Sequence, residues 1–211
     1  MIELTHRGVR AMATVAGSGL LDGLQDHDPV VAGTYPLGLD RPDSDVDLLC
    51  CAPPTEAFAA QVAAAAPDAR ALRWHRRTFD DQPDAVVVNL FLDDLPVEVF
   101  AQACPTHQQH GYRHLVVERR LLIIGGAELQ RAVRDQRHGP GSVEGAFART
   151  LGLDGDPFAA VLALESHTDR QLRALVRSAL EHPVPAPSTH ATTPTHAPID
   201  QYERANTTRL P

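Results

Sequence analysis

The stretch that decides the fold is VVAGTYPLGLDRPDSDVDLLC, residues Val30–Cys50. It begins with a short β-branched run ending at Gly33, continues through a polar loop, and ends with Asp45 and Asp47 at the start of an apolar run. Residues two apart in a strand point to the same face of the sheet, so the two carboxylates are expected to project together. Neighbouring carboxylates raise one another's pKa unless a cation lies between them. The pattern therefore predicts a site for a divalent metal.

Further groups suited to a metal with a phosphate chain lie nearby and in a later segment. Gly33 lacks a Cβ, so backbone N–H groups there can approach a phosphate closely, and Thr34 and Ser44 add hydroxyl groups. A third carboxylate, Glu98, lies in the run PVEVF (96–100), which alternates as a strand does. Hard oxygen ligands of this kind bind cations such as Mg²⁺.

The acidic residues also have simpler interpretations. The two aspartates would then lie on the hydrated face of an edge strand. Glu98 would form a salt bridge with an arginine of a neighbouring strand, such as Arg73 or Arg76. We favour the metal site, because a glycine–threonine turn precedes the aspartates and because a buried carboxylate without a partner is costly.

The composition suits one domain with a small accessory part. The chain has 211 residues, of which 43% are hydrophobic, enough to form a sizeable core. The formal net charge is −8, whereas proteins that bind polynucleotides usually have a clustered basic face, so the charge argues against a polynucleotide partner. The sequence contains no lysine, so all 19 basic residues are arginine and any cationic contact to phosphate must come from arginine or histidine.

The chain lacks the sequence signals of secretion and of membrane insertion. No apolar run approaches the roughly 18 residues that span a bilayer, and the N-terminus lacks the apolar region of a signal peptide. Three cysteines, Cys50, Cys51 and Cys104, do not make a disulfide framework. We therefore predict a cytoplasmic protein with no membrane partner.

Hydrophobic periodicity predicts an α/β fold of the α+β type: a small mixed sheet of about five strands flanked by helices, then a C-terminal helical part. A helix over residues 6–25 is expected to break at Gly17 or Gly19. The other elements predicted in the first half are strands at 29–33, 44–52, 71–79, 85–92 and 96–101 and a helix at 53–67.

Three segments differ in composition. We predict an α/β domain over residues 1–104 and a helical part packed on it over 105–182, where apolar residues recur at helical spacing. Residues 183–211 are rich in proline, threonine and histidine and have almost nothing to bury, so they are predicted to form a tail.

One segment of the helical part carries three histidines. His107, His110 and His114 have spacings of three and four residues, which would place them on one helical face that could bind zinc. No cysteine and no His-Glu-x-x-His pattern accompanies them, so we predict surface or hydrogen-bonded histidines instead. Arg113 in the same segment is a candidate for contact with a phosphate or with a second substrate.

The motif of the first half resembles a known signature. Gly33-Thr34, ten residues, and then Asp45-Val46-Asp47-Leu48 resemble the pattern of the nucleotidyltransferase superfamily, which includes DNA polymerase beta, kanamycin nucleotidyltransferase and CCA-adding enzymes. A third carboxylate on a later strand belongs to that pattern, and Glu98 matches it by order and context. Over residues 31–164 the chain resembles a bacterial branch known as a domain of unknown function.

The resemblance implies transfer of a nucleoside monophosphate from a nucleoside triphosphate to a hydroxyl of a small molecule or a protein. It implies Mg²⁺ or Mn²⁺ as the cofactor, with the three carboxylates as catalytic residues and metal ligands. The residues that it implies as nucleotide-binding are Gly33, Thr34, Ser44, Arg41 and Arg113.

The chain departs from the pattern at three points. Thr34 replaces the usual serine or glycine, Glu98 replaces the commoner aspartate, and no lysine is present to contact the triphosphate. Two alternatives therefore stay open. One is a nucleotide-binding or protein-interaction module that does not catalyse, and the other is a phosphohydrolase that needs no acceptor.

Overall fold

The computed structural model describes residues 2–80, 82–137, 141–185 and 208–209. The helices and strands, in chain order, are α1 (His6–Gly17), α2 (Leu20–Gly23), β1 (Val30–Ala32), β2 (Val46–Cys51), α3 (Glu56–Ala65), β3 (Arg70–Arg77), β4 (Ala85–Leu92), β5 (Leu95–Gln102), α4 (His110–Gln136), α5 (Val143–Leu151), α6 (Pro157–Ala163), α7 (Asp169–Glu181) and β6 (Thr208–Arg209). Short 3-10 turns lie at 25–27, 35–37, 106–108 and 164–166.

The strands form one mixed sheet in the order β1-β2-β5-β4-β3-β6. The pair β2–β5 is parallel, and the other pairs are antiparallel. The predicted α/β class and the mixed sheet of about five strands are thereby confirmed, and the two-residue β6 adds a sixth strand beside β3. The strands expected at 85–92 and 96–101 are observed as β4 and β5, joined by a tight turn at Asp93-Asp94.

Alternation along β2 and β5 separates the two faces of the sheet. Val46 and Leu48 of β2 are buried in the core beneath α1–α3, and Val97 and Val99 of β5 join them there. The residues between them, among them Asp47, point to the opposite face. That face is left for the helical half to cover.

Polar side chains define where several helices begin. The hydroxyl of Thr5 accepts a hydrogen bond from the N–H of Gly8 at 2.8 Å, and Thr55 and Ser142 begin α3 and α5 in the same way. Asp156 caps α6, whose first residue is a proline.

The predicted helix over 6–25 is divided in the structure. Gly17 is the last residue of α1, and Gly19, at φ 79°, precedes α2. The longest helix, α4, also contains a break, because Gly126 has φ 61° and ψ −154°. Glycine adopts these backbone angles at no steric cost, which explains both interruptions.

Two clusters of buried side chains form the interior. The first lies between the sheet and α1–α3, and the second lies among α4–α7. Leu37 and Leu39, from the loop between β1 and β2, belong to the second cluster. The loop that carries the acidic motif is therefore anchored in the helical half. The proposed boundary at 104/105 stays a prediction.

Within the described residues, no helix is long and apolar enough to cross a membrane. Cys50, Cys51 and Cys104 are free thiols. Most of the tail predicted at 183–211 lies outside the described residues; residues 183–185 follow α7, and 208–209 form β6.

Candidate functional site

A cleft of about 600 Å³ separates the exposed face of the sheet from the helical half. The sheet contributes Asp47 and Glu98, and the helices α4–α6 and their caps contribute His114, Glu144 and Asp156. Most charged side chains that line the cleft are acidic: Asp47, Glu98, Glu118, Glu144 and Asp156, against Arg77. The ionised forms of these side chains disfavour an anionic substrate unless cations accompany it.

Gly33 and Asp47 are in direct contact at the sheet edge of the cleft. Ala32 pairs with Asp47 between β1 and β2, so the residue after β1 comes to lie beside this carboxylate. A Cβ at Gly33 would lie 1.8 Å from Oδ2 of Asp47, and Gly33 itself has φ 68°. Two independent constraints, space and backbone conformation, thus require glycine here.

Asp47 and Glu98 are direct neighbours across the parallel pair β2–β5. Both side chains point into the cleft from the same face of the sheet. Asp45 lies one residue before β2 and is exposed, and its charge acts on both of the others. The structure therefore brings Asp47 and Glu98 together, whereas Asp45 acts on both through its charge and is not among the residues that line the cleft.

Burial and neighbouring charges disfavour the ionised forms of Asp47 and Glu98. The pKa of Asp47 is raised to about 8, mainly by burial and in addition by the charges of Asp45, Glu98 and Glu144. Burial is also the main cause of the raised pKa of Glu98, to which Asp45 adds, while Arg77 opposes it. A divalent cation held between these oxygens would reverse the effect, since an opposite charge favours the ionised form. The donor set of carboxylate oxygens fits Mg²⁺ or Mn²⁺.

The alternative to a metal site at Glu98 is a salt bridge with an arginine of a neighbouring strand, and Arg76 and Arg77 have the following contacts. Arg76 pairs with Asp84 at 3.0 Å. Arg77 is the arginine whose charge acts on Glu98, and its guanidinium also lies 5.1 Å from the ring centre of Phe79.

The predicted hydroxyl groups hold the loop together. Thr34 donates a hydrogen bond to Oγ of Ser44 at 3.4 Å, and the same oxygen accepts one from the backbone N–H of Arg41 at 2.9 Å. The Arg41 side chain bonds to Asp43 and to the backbone carbonyl of Arg137. Within this loop, Gly33 lines the cleft. Thr34, Ser44 and Arg41 are not among the residues that line it.

Arg113 is placed differently from the expectation. Its Nη2 lies 2.5 Å from Oε2 of Glu165, and its Nε lies 3.1 Å from the same oxygen. This ion pair raises the pKa of Arg113 and lowers that of Glu165. The side chain does not line the cleft. Contact with a phosphate would first require the pair to open.

Three polar residues of the helical wall were not predicted as a group. His114 and Glu118 lie one turn apart on α4, and Glu144 lies in the first turn of α5. One ligand atom from each lies within 4.8 Å of those of the other two. The sequence signal was the HLVVE segment, in which a histidine and a glutamate four residues apart fall on a buried face.

The histidine prediction is corrected at one of its three positions. His107 lies in a 3-10 turn before α4 and is exposed, as expected of a surface histidine. His110 begins α4 and lines the cleft. His114 is only 6% exposed, and no described residue forms a hydrogen bond with its Nδ1. It is neither a surface histidine nor one with both ring nitrogens satisfied.

Comparison with solved structures identifies the fold. The chain is similar to the Cid1 poly(U) polymerase bound to MgGTP, with a TM-score of 0.52 at 12% identity over 71% of this chain and 51% of that chain. It spans about half the length of that polymerase. The polymerase core of TRAMP, an RNA surveillance complex, is matched with a TM-score of 0.47 at 13% identity, over 85% of this chain and 59% of that one.

Comparison of sequences identifies the family. No curated protein is similar to the chain in sequence. The family model described as Domain of unknown function (DUF4269) matches residues 13–164, well over half of the chain. The chain therefore belongs to the DUF4269 family and has a nucleotidyltransferase fold.

Proposed function

We propose that this protein is a metal-dependent nucleotidyltransferase that moves a nucleoside monophosphate from a nucleoside triphosphate to a hydroxyl acceptor. The observation that carries the proposal is the pairing of Asp47 with Glu98 across β2–β5, with the glycine turn of Gly33 packed directly against Asp47. Asp45 lies within electrostatic reach of both.

The acidic cleft supports a metal requirement. A triphosphate would meet Asp47, Glu98 and Glu144 without enough arginine to offset them. Asp45, Asp47 and Glu98 would hold Mg²⁺ or Mn²⁺, which in phosphoryl-transfer enzymes neutralises phosphate charge and lowers the pKa of the attacking hydroxyl. The fold neighbour bound to MgGTP supports a nucleotide as the substrate.

The residues of this chain then have distinct tasks. Asp47 and Glu98 set the position of the reacting groups from the rigid sheet, and the backbone at Gly33 approaches the phosphates. The acceptor oxygen attacks the α-phosphorus, the bond from that phosphorus to the bridging oxygen breaks, and pyrophosphate leaves. Thr34, Ser44 and Arg41 keep the loop in shape through the hydrogen bonds described above.

The acceptor is proposed to be a small molecule or a protein hydroxyl. The net charge of −8 and the acidic cleft both oppose binding of a polynucleotide. The helical wall of the cleft, formed by α4–α6, is the surface left to contact the acceptor.

A second candidate is a nucleotide-binding module that does not catalyse. Two observations favour it: the sequence has no lysine, and Arg113 is engaged by Glu165. Such a module would bind nucleotide without releasing pyrophosphate.

The test follows the α-phosphate. Each nucleoside triphosphate, labelled in turn at the α- or γ-phosphate, is incubated with the protein, Mg²⁺ and a protein or small-molecule extract. We expect α-label, but not γ-label, to pass to an acceptor, and we expect Asp47→Asn and Glu98→Gln to abolish the transfer. Asp68→Asn, which changes an exposed aspartate after α3, is the matched control and should transfer normally. Label released as free nucleotide without any acceptor would indicate the phosphohydrolase instead.

A further inference from the structure

The helical wall of the cleft contains a group of side chains that nucleotidyl transfer does not use. His114 and Glu118 are four positions apart on α4, so both side chains project from one face of the helix. Ser142 caps the start of α5, and the first turn of that helix carries Glu144. Helix packing, rather than a local motif, brings the ligand atoms of the three to within 4.8 Å of one another.

Two of these side chains are buried and lack partners. His114 is 6% exposed and Glu118 is 2% exposed. Nδ1 of His114 and Oε1 of Glu118 have no hydrogen-bond partner among the described residues. A buried polar atom left unpaired is destabilising, and native structures contain few of them. Both atoms belong to the same cluster, so one missing ligand would account for both.

The nearby arginine does not supply the missing charge. Arg137 acts on Glu118 electrostatically, yet none of the ion pairs seen in the described part of the chain joins it to Glu118 or Glu144. The Nε of Arg137 is itself buried, with no hydrogen-bond partner in the described part of the chain. The backbone carbonyl oxygen of Arg137 accepts a hydrogen bond from the Arg41 side chain. This bond holds Arg137 on the side of the site that faces the loop.

We infer that His114, Glu118 and Glu144 form a second metal site, for a first-row transition-metal dication such as Zn²⁺ or Mn²⁺. One imidazole nitrogen with two carboxylates is a donor set that such ions accept, whereas Mg²⁺ prefers oxygen ligands alone. The ring of Phe158 packs edge-on against His114, with ring centres 6.0 Å apart, and limits the orientations of the imidazole.

The position of the site gives it a role beyond structure. All three residues line the cleft, opposite Asp47 and Glu98. Three protein ligands leave a coordination position open, as in catalytic rather than structural zinc sites. Because the three residues line the cleft proposed to hold the acceptor, an ion bound by them would be available to an oxygen or nitrogen atom of the acceptor. The binding site itself does not depend on the proposed nucleotidyl transfer.

The test counts bound metal in the full-length chain. Zn²⁺ and, separately, Mn²⁺ are titrated into metal-free protein by calorimetry, and bound metal is measured after dialysis. We expect the wild type to bind one equivalent of Zn²⁺ more than Glu118→Gln, which keeps the shape of the side chain and removes its charge. Glu128→Gln, an exposed residue of the same helix, is the matched control and should keep the full number.

Further variants separate this site from the sheet carboxylates and from other histidines. Asp47→Asn should keep the equivalent that Glu118→Gln loses. Co²⁺ should give visible absorption bands in the wild type that His114→Ala and Glu118→Gln both remove. Equal numbers of bound Zn²⁺ in the wild type and in folded Glu118→Gln would overturn the proposal, as would a wild type that binds none.

Discussion

At the scale of residues, the contact between Gly33 and Asp47 is the most specific feature of the site. It explains why the signature needs glycine at this position: the carboxylate occupies the space in which any Cβ would lie. The same contact brings the backbone at Gly33 beside a proposed metal ligand, so one residue type serves both the fold and the proposed chemistry.

We predict that Gly33→Ala lowers both the stability and the affinity for nucleotide. The positive φ alone costs about 1 kcal/mol, and the overlap with Asp47 adds strain, for a total of about 2–4 kcal/mol. Gly152→Ala is the matched control, because Gly152 has φ 65° and open space around it. Urea unfolding should show a clearly larger loss for Gly33→Ala. Equal losses would mean that the contact with Asp47 carries no cost.

A second residue-scale prediction concerns pH in metal-free protein. The raised pKa of Asp47 means that the folded state binds a proton between about pH 4 and pH 8 that the unfolded state does not. The free energy of unfolding that this proton contributes is therefore largest below about pH 4, and it falls as the pH rises toward 8. The decrease in stability with rising pH should be smaller for Asp47→Asn. Thermal midpoints measured with a chelator from pH 5 to pH 9 test this, and parallel curves for the two proteins would contradict it.

At the scale of elements, alternation in β2 and β5 explains most of what the sequence predicts correctly. Each strand places apolar side chains toward α1–α3 and its acidic residue toward the cleft, so period-two patterns identify both the strands and the site. Capping residues similarly mark where α3, α5 and α6 begin. The break in α4 is also visible in the sequence as two adjacent glycines, Gly125 and Gly126.

We predict that Gly126→Ala destabilises the protein by about 1–3 kcal/mol. Gly126 combines φ 61° with ψ −154°, a region that other residues rarely adopt, although its surroundings are open. Gly17→Ala is the control, because Gly17 ends α1 with normal angles and no atom near its Cβ position, so it should be neutral or slightly stabilising. Denaturant midpoints give the comparison. A neutral Gly126→Ala would show that α4 tolerates a continuous helix.

At the scale of the whole molecule, the loop that precedes β2 links the two halves. Leu37 and Leu39 are fully buried in the cluster formed by α4–α7, although they precede the two proposed catalytic aspartates in the chain. The cleft and both of its candidate metal sites therefore depend on how the two cores are packed together.

We predict that Leu39→Ala destabilises both cores together. Removal of a buried leucine side chain costs about 2–5 kcal/mol. The single tryptophan, Trp74, packs against the first core, so its fluorescence reports on the half that does not contain Leu39. The fluorescence midpoint should fall in Leu39→Ala and stay unchanged in Ile123→Ala, where the side chain is 60% exposed. An unchanged midpoint in Leu39→Ala would mean that the two cores unfold independently.

Tertiary packing of the whole molecule explains which features the sequence did not predict. Asp45 and Asp47 are neighbours in the chain, and Glu98 follows from strand alternation, so the sheet carboxylates could be found by pattern. The group of His114, Glu118 and Glu144 depends on the packing of α5 against α4, which no local period encodes. The ion pair of Arg113 with Glu165 depends on tertiary packing in the same way.

The most direct test of the central claim is the thermal midpoint with each nucleoside triphosphate, with and without Mg²⁺, for the wild type and for Asp47→Asn. At about 100 times Kd a ligand adds about 2.7 kcal/mol, which for a chain of this size should raise the midpoint by about 5–10 °C. We predict such a rise for at least one nucleotide, dependent on Mg²⁺ and absent in Asp47→Asn. No shift with any nucleotide, or an equal shift in the variant, would contradict the assignment of these carboxylates as a nucleotide–metal site.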